Sequence, residues 1–388
     1  MPVNTDQRKK TNHNWRIHRL ILAAGGIVKT KYLSDVDRNN IADLKRLFRK
    51  LRRHLLREGL IGSASDIELL ITSTAKMYAF TVKGEQGGYA ICISIGTLRA
   101  VWNTLLLTLC DNNTFPDYGG EKVTYKVKRR ISRKRIFGPS IIPAEDSRQY
   151  IKDKKELQQY QDITPSRKEL CETMYNMMAD YLLYHEAMHI TRNHFAFIDI
   201  CEKATFINAA DIFRQNNKLF QFFEVDADMV ALNFVLPTHP ETVRFDRLTQ
   251  YEKLDFVFGH MFSNILLHQL FDLEMMAEPI KEQWDYDHPP PMIRSILYDN
   301  LLYQFFIEKK LLPKEEVRDQ QSKAWWEASR IAIKLGFPKG RWHGKSMKGV
   351  SFARIRRLIT EFNQFQDVIG RAIQSGSYEE FKEVVAHI

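Results

Sequence analysis

Tyr184-His185-Glu186-Ala187-Met188-His189 is the stretch from which the rest of the chain is read. It is an HExxH motif. His185 and His189 lie four residues apart, so on a helix they leave the same face one turn apart. That spacing lets two imidazoles grip one zinc ion, and Glu186 stands beside them to polarise water and carry its proton. The flanks predict one long helix from about Ser166 to Asn193, entered through Pro165 and a capping box of Ser166 with Glu169. Leu170, Met174, Met178, Tyr181, Leu182 and Met188 recur along an apolar side, which predicts a core helix. The competing reading is a solvated His/Glu face on an ordinary helix.

A second apolar helix is expected to start near Asn216 or Asn217 and to stop before Pro237. It carries Glu224 and Asp228 four apart on one face. Buried carboxylates must be paired or must hold a metal. Glu224 is therefore expected as the third zinc ligand. Asp228 is expected to accept from the other ring nitrogen of a ligand histidine and so orient it. Asp199, Glu202, Asp211 and Asp226 are rival third ligands. Asp226 lies off the Glu224 face, and the other three lack its helical setting. His194, five residues past His189, is expected to be rotated away from the motif and to cap or pack.

HExxH followed by Glu-x-x-Ala-Asp is similar to the pattern of the gluzincin metallopeptidases, especially the HtpX and CaaX-protease type. A third segment fits in order: Asp287-His288-Pro289-Pro290-Pro291-Met292-Ile293-Arg294 matches the His-Pro-Pro-x-x-x-Arg stretch of that group. The spacing also resembles the soluble Lit-like phage-exclusion peptidases. The likeness covers roughly residues 70 to 300. It implies an α+β, mostly helical fold: a zincin-like core with a small β-hairpin or sheet and an active-site helix. HtpX and CaaX-type enzymes are membrane-embedded, whereas no stretch here reaches the length of a membrane span. That departure favours the Lit-like comparison and a cytoplasmic location.

The chain has 388 residues and a formal net charge of +10, which leaves room for an anionic partner. Its four cysteines, Cys92, Cys110, Cys171 and Cys201, show no CxxC spacing and are expected to be reduced and buried. Three regions are expected. Residues 1–60 form a basic helical segment. Residues 61–310 form the peptidase-like domain, with a basic insertion at 111–163. Residues 311–388 form a helical region with a basic patch between Lys339 and Arg357.

In the first region, Asp35 or Asp37 starts a helix with Ile41, Leu44, Phe48, Leu51, Leu55 and Leu56 on one side and a run of Lys and Arg on the other. Met77–Lys83 and Tyr89–Ile95 flank a Gly-rich turn and read as a hairpin. Its second strand, through Ile91, Ile93 and Ile95, is the expected edge that aligns an extended peptide substrate. The alternative is an ordinary core hairpin. Residues 246–275 predict a long helix, on which His260, Asn264, His268 and Asp272 recur every fourth position. His260 and His268 would sit about 12 Å apart, too far to share an ion, so this stripe is expected to face solvent. Trp325 and Trp326 are expected to pack.

These readings converge on a zinc-dependent endopeptidase acting on an intracellular protein. His185, His189 and Glu224 hold one Zn2+ and Glu186 serves as the acid/base. His288 donates to the oxyanion, with Tyr286 in reserve, and Arg294 is anchored against Asp228 or the substrate backbone. His288-Pro289-Pro290-Pro291 also suits a plain helix start. The Lit-like likeness implies phage exclusion or a toxin-like role. The alternative is a nucleic-acid or ribosome-associated binding protein whose zinc site, closed by His194 or Asp226, is structural. A third reading keeps the site inactive until a partner binds the basic insertion.

Overall fold

The computed structural model describes residues 19–84, 87–109, 115, 163–205, 217–239, 242, 244–274, 289–338, 342, 360–361 and 371. The fold is mostly helical with one small sheet. Its helices are α1 (Arg19–Ala23), α2 (Asp35–Arg57), α3 (Ile95–Leu109), α4 (Pro165–Thr191), α5 (His194–Thr205), α6 (Asn217–Thr238), α7 (Gln250–Glu274), α8 (Pro291–Glu308) and α9 (Lys314–Leu335). The strands are β1 (Ile67–Thr72), β2 (Ala79–Lys83) and β3 (Tyr89–Ser94).

Helix α4 is the axis of the molecule. Every residue from Met177 to Met188 is buried, so the helix has no solvent face through the motif. It packs against α2, α3, α6, α7 and the β2–β3 hairpin. The expected capping box at Ser166 and Glu169 is not formed. The cap lies two residues earlier, where Thr164 accepts from Arg167 N and Pro165 takes the first helical position.

In α2 the apolar stripe faces inward, with Ile41, Leu44, Leu51 and Leu55 buried, and Ser34 and Asp37 form a capping box at its start. The stripe docks on α4, where Lys50 Nζ reaches Asp180 Oδ2 at 3.3 Å. One hydrophobic cluster runs continuously from Leu33 through α4 to Leu335 and Trp342.

The sheet order is β1-β3-β2, with β3 parallel to β1 and antiparallel to β2. Leu69, Ile71, Ile91, Ile93 and Ala79 share the face that joins the main core. Ala90, Cys92 and Val82 pack on the other face against Ile21 of α1. The expectation that Ile91, Ile93 and Ile95 form a substrate-aligning edge is corrected by this order. β3 is the central strand, its hydrogen-bonding edges are taken on both sides, and Ile91 and Ile93 are fully buried. Ile95 is not in the strand but opens α3. The outer side of β1 is partly covered by residues 26–28, through Val28 N to Ile71 O and Ser73 N to Gly26 O. Among the described residues no strand covers the outer side of β2.

The polar stripe of α7 is also corrected. His260, Asn264, His268 and Asp272 are all buried, because α7 lies between α4, α8 and α9 and keeps no solvent face there. The stripe ties helices together. Asn264 Nδ2 donates to Ser295 O at 3.1 Å, and Trp342 Nε1 donates to Asp272 Oδ2 at 2.7 Å. Trp325 Nε1 donates to Asp299 Oδ2, while Trp326 is exposed rather than packed.

Burial, with the Arg294 charge nearby, pushes the His268 pKa down to about 4. Below pH 6.5 protons then favour the unfolded chain, and the loss continues until the folded-state pKa is reached. Asp299, raised to about 7 chiefly by burial, works in the opposite sense. In urea unfolding at pH 6.5 and pH 4, His268→Gln should therefore lose about 3 kcal/mol less stability on acidification than the wild type. Equal losses would count against a neutral buried His268.

Cys92 and Cys171 are buried. Among the described residues no helix is long and apolar enough to cross a membrane. The basic stretch 116–162, the patch between Lys339 and Arg357 apart from Trp342, and the proposed oxyanion donors His288 and Tyr286 lie outside the described residues.

Candidate metal centre

Helix α4 presents His185 and His189 to α6, and α6 returns Glu224 between them. His185 Nε2 and His189 Nε2 are 3.3 Å apart. The Glu224 carboxylate lies 3.2 Å from the first through Oε2 and 3.4 Å from the second through Oε1. Among the described residues, these three make the group that could hold a metal ion. The spacing can be tested against an ion. Zinc bonds to nitrogen and oxygen of about 2.0–2.1 Å, arranged tetrahedrally, put neighbouring donor atoms about 3.3 Å apart. The separation of the two histidine nitrogens lies close to that edge length, while Glu224 approaches each histidine through a different oxygen; with one atom taken from each residue, the three lie within 4.8 Å of one another.

Among the described residues, Glu186, Glu224, Asp226 and Asp228 bring four buried carboxylates to this part of the fold, and the guanidiniums of Arg192 and Arg294 pair with three of them. Such a setting favours positive charge, proton or cation. Burial disfavours a charged His185, but Glu224 and Asp228 outweigh it and raise its pKa to about 10. Metal uptake at neutral pH must then displace that proton. Zinc affinity measured against a competing chelator should rise about tenfold per pH unit between pH 6 and 7. A flat profile would mean that no such proton is displaced.

The ligands are themselves held. His185 Nδ1 stands 2.8 Å from Asp228 Oδ1, a close approach without the angle of a well-aligned hydrogen bond. Asp228 is gripped by Arg294 from α8, with Nε to Oδ2 at 2.8 Å and Nη2 to Oδ1 at 2.7 Å. The third nitrogen of the same guanidinium, Nη1, lies 3.0 Å from Glu224 Oε2. Tyr181 Oη donates to Asp228 from one turn before His185. Burial alone would raise the Asp228 pKa, but Arg294 and His185 hold it well below the usual carboxylate range. One arginine thus orients both Glu224 and the Asp228 partner of His185.

Glu186 is buried beside the pair and points to the sheet. Thr81 Oγ1 on β2 lies 2.9 Å from Glu186 Oε2 and 3.0 Å from its backbone carbonyl. The strand that hydrogen-bonds the motif is therefore β2. Nothing local in the sequence marks Thr81, because the contact spans 105 residues.

His194 does not continue the α4 spiral. The helix stops at Thr191, and Asn193 takes a left-handed backbone with φ of 58°. The chain turns there, and His194 folds back to put its Nδ1 3.0 Å from His189 Nδ1. Its Nε2 lies 3.0 Å from Asp226 Oδ2, and Arg192 also clasps Asp226. Neither His194 nor Asp226 belongs to the group of three that could hold an ion. Asp199 instead pairs with Lys83, and Asp211 lies outside the described residues. Compared with known protein families, curated proteins and solved structures, the chain matches none.

Proposed function

We propose that this protein is a zinc-dependent peptidase, with His185, His189 and Glu224 as ligands and Glu186 as general acid and base. The observation that carries the reading is the convergence of His185, His189 and Glu224, with one ligand atom from each within 4.8 Å of the others, and the Glu186 carboxylate alongside, held by Thr81. A purely structural zinc would need a fourth protein ligand. His194 and Asp226 were the residues to supply it, and they are engaged with each other.

When bound, zinc supplies Lewis acidity, which polarises a carbonyl group and acidifies water. The chain's own residues do the rest. Glu186 takes a proton from the attacking water on its carboxylate and delivers it to the leaving amine nitrogen. Thr81 fixes the direction of that carboxylate by donating to Oε2. Arg294 and Asp228 keep Glu224 and His185 in place. The outer side of β2, next to Glu186, suits an extended peptide bound by main-chain hydrogen bonds, so the alignment role passes to β2. A protein substrate inside the cell, and a part in phage exclusion, rest on the likeness to the Lit-like peptidases alone.

Metal content per chain, measured by mass spectrometry, tests the site. One zinc in the wild type and in Glu186→Gln, and none in Glu224→Ala, is the expected result. A wild type without zinc would sink the reading, and zinc retained by Glu224→Ala would remove Glu224 from the ligand set. A second variant probes the role of β2. Thr81→Val should lower kcat on a peptide library about tenfold, the worth of one hydrogen bond, with KM and metal content little changed. An unaltered kcat would release Thr81 from any part in catalysis.

A further inference from the structure

We infer that His194 is a positioning residue that sets the tautomer of His189, and that Asp226 in turn sets the tautomer of His194. The inference rests on the zinc site proposed above and adds two residues to it that bind neither metal nor substrate.

The argument is one of counting protons. A neutral imidazole donates at one ring nitrogen and accepts at the other. Asp226 is held by Arg192 through Nε to Oδ2 at 2.8 Å and Nη2 to Oδ1 at 3.2 Å, which leaves it an acceptor. The contact of 3.0 Å between His194 Nε2 and Asp226 Oδ2 therefore needs the proton on Nε2. His194 Nδ1 is then bare. It faces His189 Nδ1 at 3.0 Å, so that contact needs the proton on His189. His189 Nε2 is left bare, and it is the atom that lies 3.3 Å from His185 Nε2 and 3.4 Å from Glu224. The opposite assignment sets bare nitrogen against carboxylate and puts a proton on the nitrogen that must bind the ion.

The geometry of the chain serves this relay. In a continuous helix the fifth residue on lies about 140° round the axis. The left-handed residue Asn193 ends α4 and lets its carbonyl accept from Phe197 N as α5 begins. That break brings His194 over His189. Phe223 of α6 stacks on the His194 ring at 4.3 Å between centroids with 20° between planes, which fixes how the ring is turned. Asp226 follows on the same helix. One ligand histidine is thus served directly by a carboxylate, Asp228, and the other through an intervening histidine.

The test uses the full chain, with zinc as the probe in a chelator competition. His194→Phe keeps the ring on Phe223 and removes both ring nitrogens. It should weaken zinc binding about 10–100-fold, with the unfolding transition of the metal-free protein retained. His194→Asn places a side-chain oxygen near the position of Nδ1, and should recover most of that loss. If both variants bind zinc like the wild type, or both lose it equally, the acceptor role is wrong while the site stands. Nitrogen-15 NMR of the histidines in metal-free wild type reads the relay without any substitution. Protons on His194 Nε2 and His189 Nδ1 are expected, and the reverse pattern overturns the inference. A wild type that binds no zinc, by contrast, would count against the peptidase reading and leave the NMR result to judge the relay.

Discussion

Glu186→Gln should lower peptide hydrolysis by about 10²–10⁴-fold, the usual worth of a positioned acid/base group, while zinc content stays at one per chain. The amide matches the carboxylate in shape and can still meet Thr81 Oγ1, so the fold is not at risk. What it cannot do is take a proton from water. Single-turnover rates on a cleaved peptide, with metal assayed on the same sample, separate the two effects. Full activity in this variant would end the acid/base assignment, and loss of zinc would show that Glu186 belongs to the ligand set.

The second large effect is expected at Arg294. Its guanidinium meets Asp228 with two nitrogens and Glu224 with the third, in a site where all three side chains are largely withdrawn from water. Arg294→Met keeps most of the length of the side chain and removes the guanidinium that pairs with both buried carboxylates. Removing one partner of a buried ion pair costs about 3–5 kcal/mol, and urea unfolding of the metal-free variant should show a loss of that order. Zinc should restore part of it, because the ion brings back positive charge and stabilises only the folded chain. Arg294→Lys should fail almost as badly, since an ammonium cannot span two carboxylates as a planar fork does. A metal-free Arg294→Met protein as stable as the wild type would mean that the pairing contributes nothing.

What the sequence disclosed about the site was what lies close along the chain. His185 and His189, and likewise Glu224 and Asp228, are each one helical turn apart, and the apolar residues around them indicate helices with no polar face to spare. The boundaries of α2, α7 and α8 were legible for the same reason. Strand order was not. The hairpin is local, but β1 joins it in parallel from Ile67–Thr72, and that pairing turns the expected edge strand into the centre of the sheet. The α7 stripe misled because a polar residue at every fourth position looks the same whether it meets water or another helix. Only the packing of α8 and α9 decides it. For His194 the angle of a continuing helix does not apply: the expected end of α4 at Asn193 is a left-handed turn, and it brings His194 back onto His189.

Enclosure of the site has a consequence for time rather than for affinity. The ligand side chains keep only 4 %, 14 % and 8 % of their surface at His185, His189 and Glu224, and Arg294 closes over them from α8. An ion held there would meet water and substrate chiefly beside His189, the most exposed of the three. Its release would need several buried ligands to let go together, which is slow while α4, α6 and α8 stay packed. The supply of metal as the chain folds would then weigh on which ion it carries.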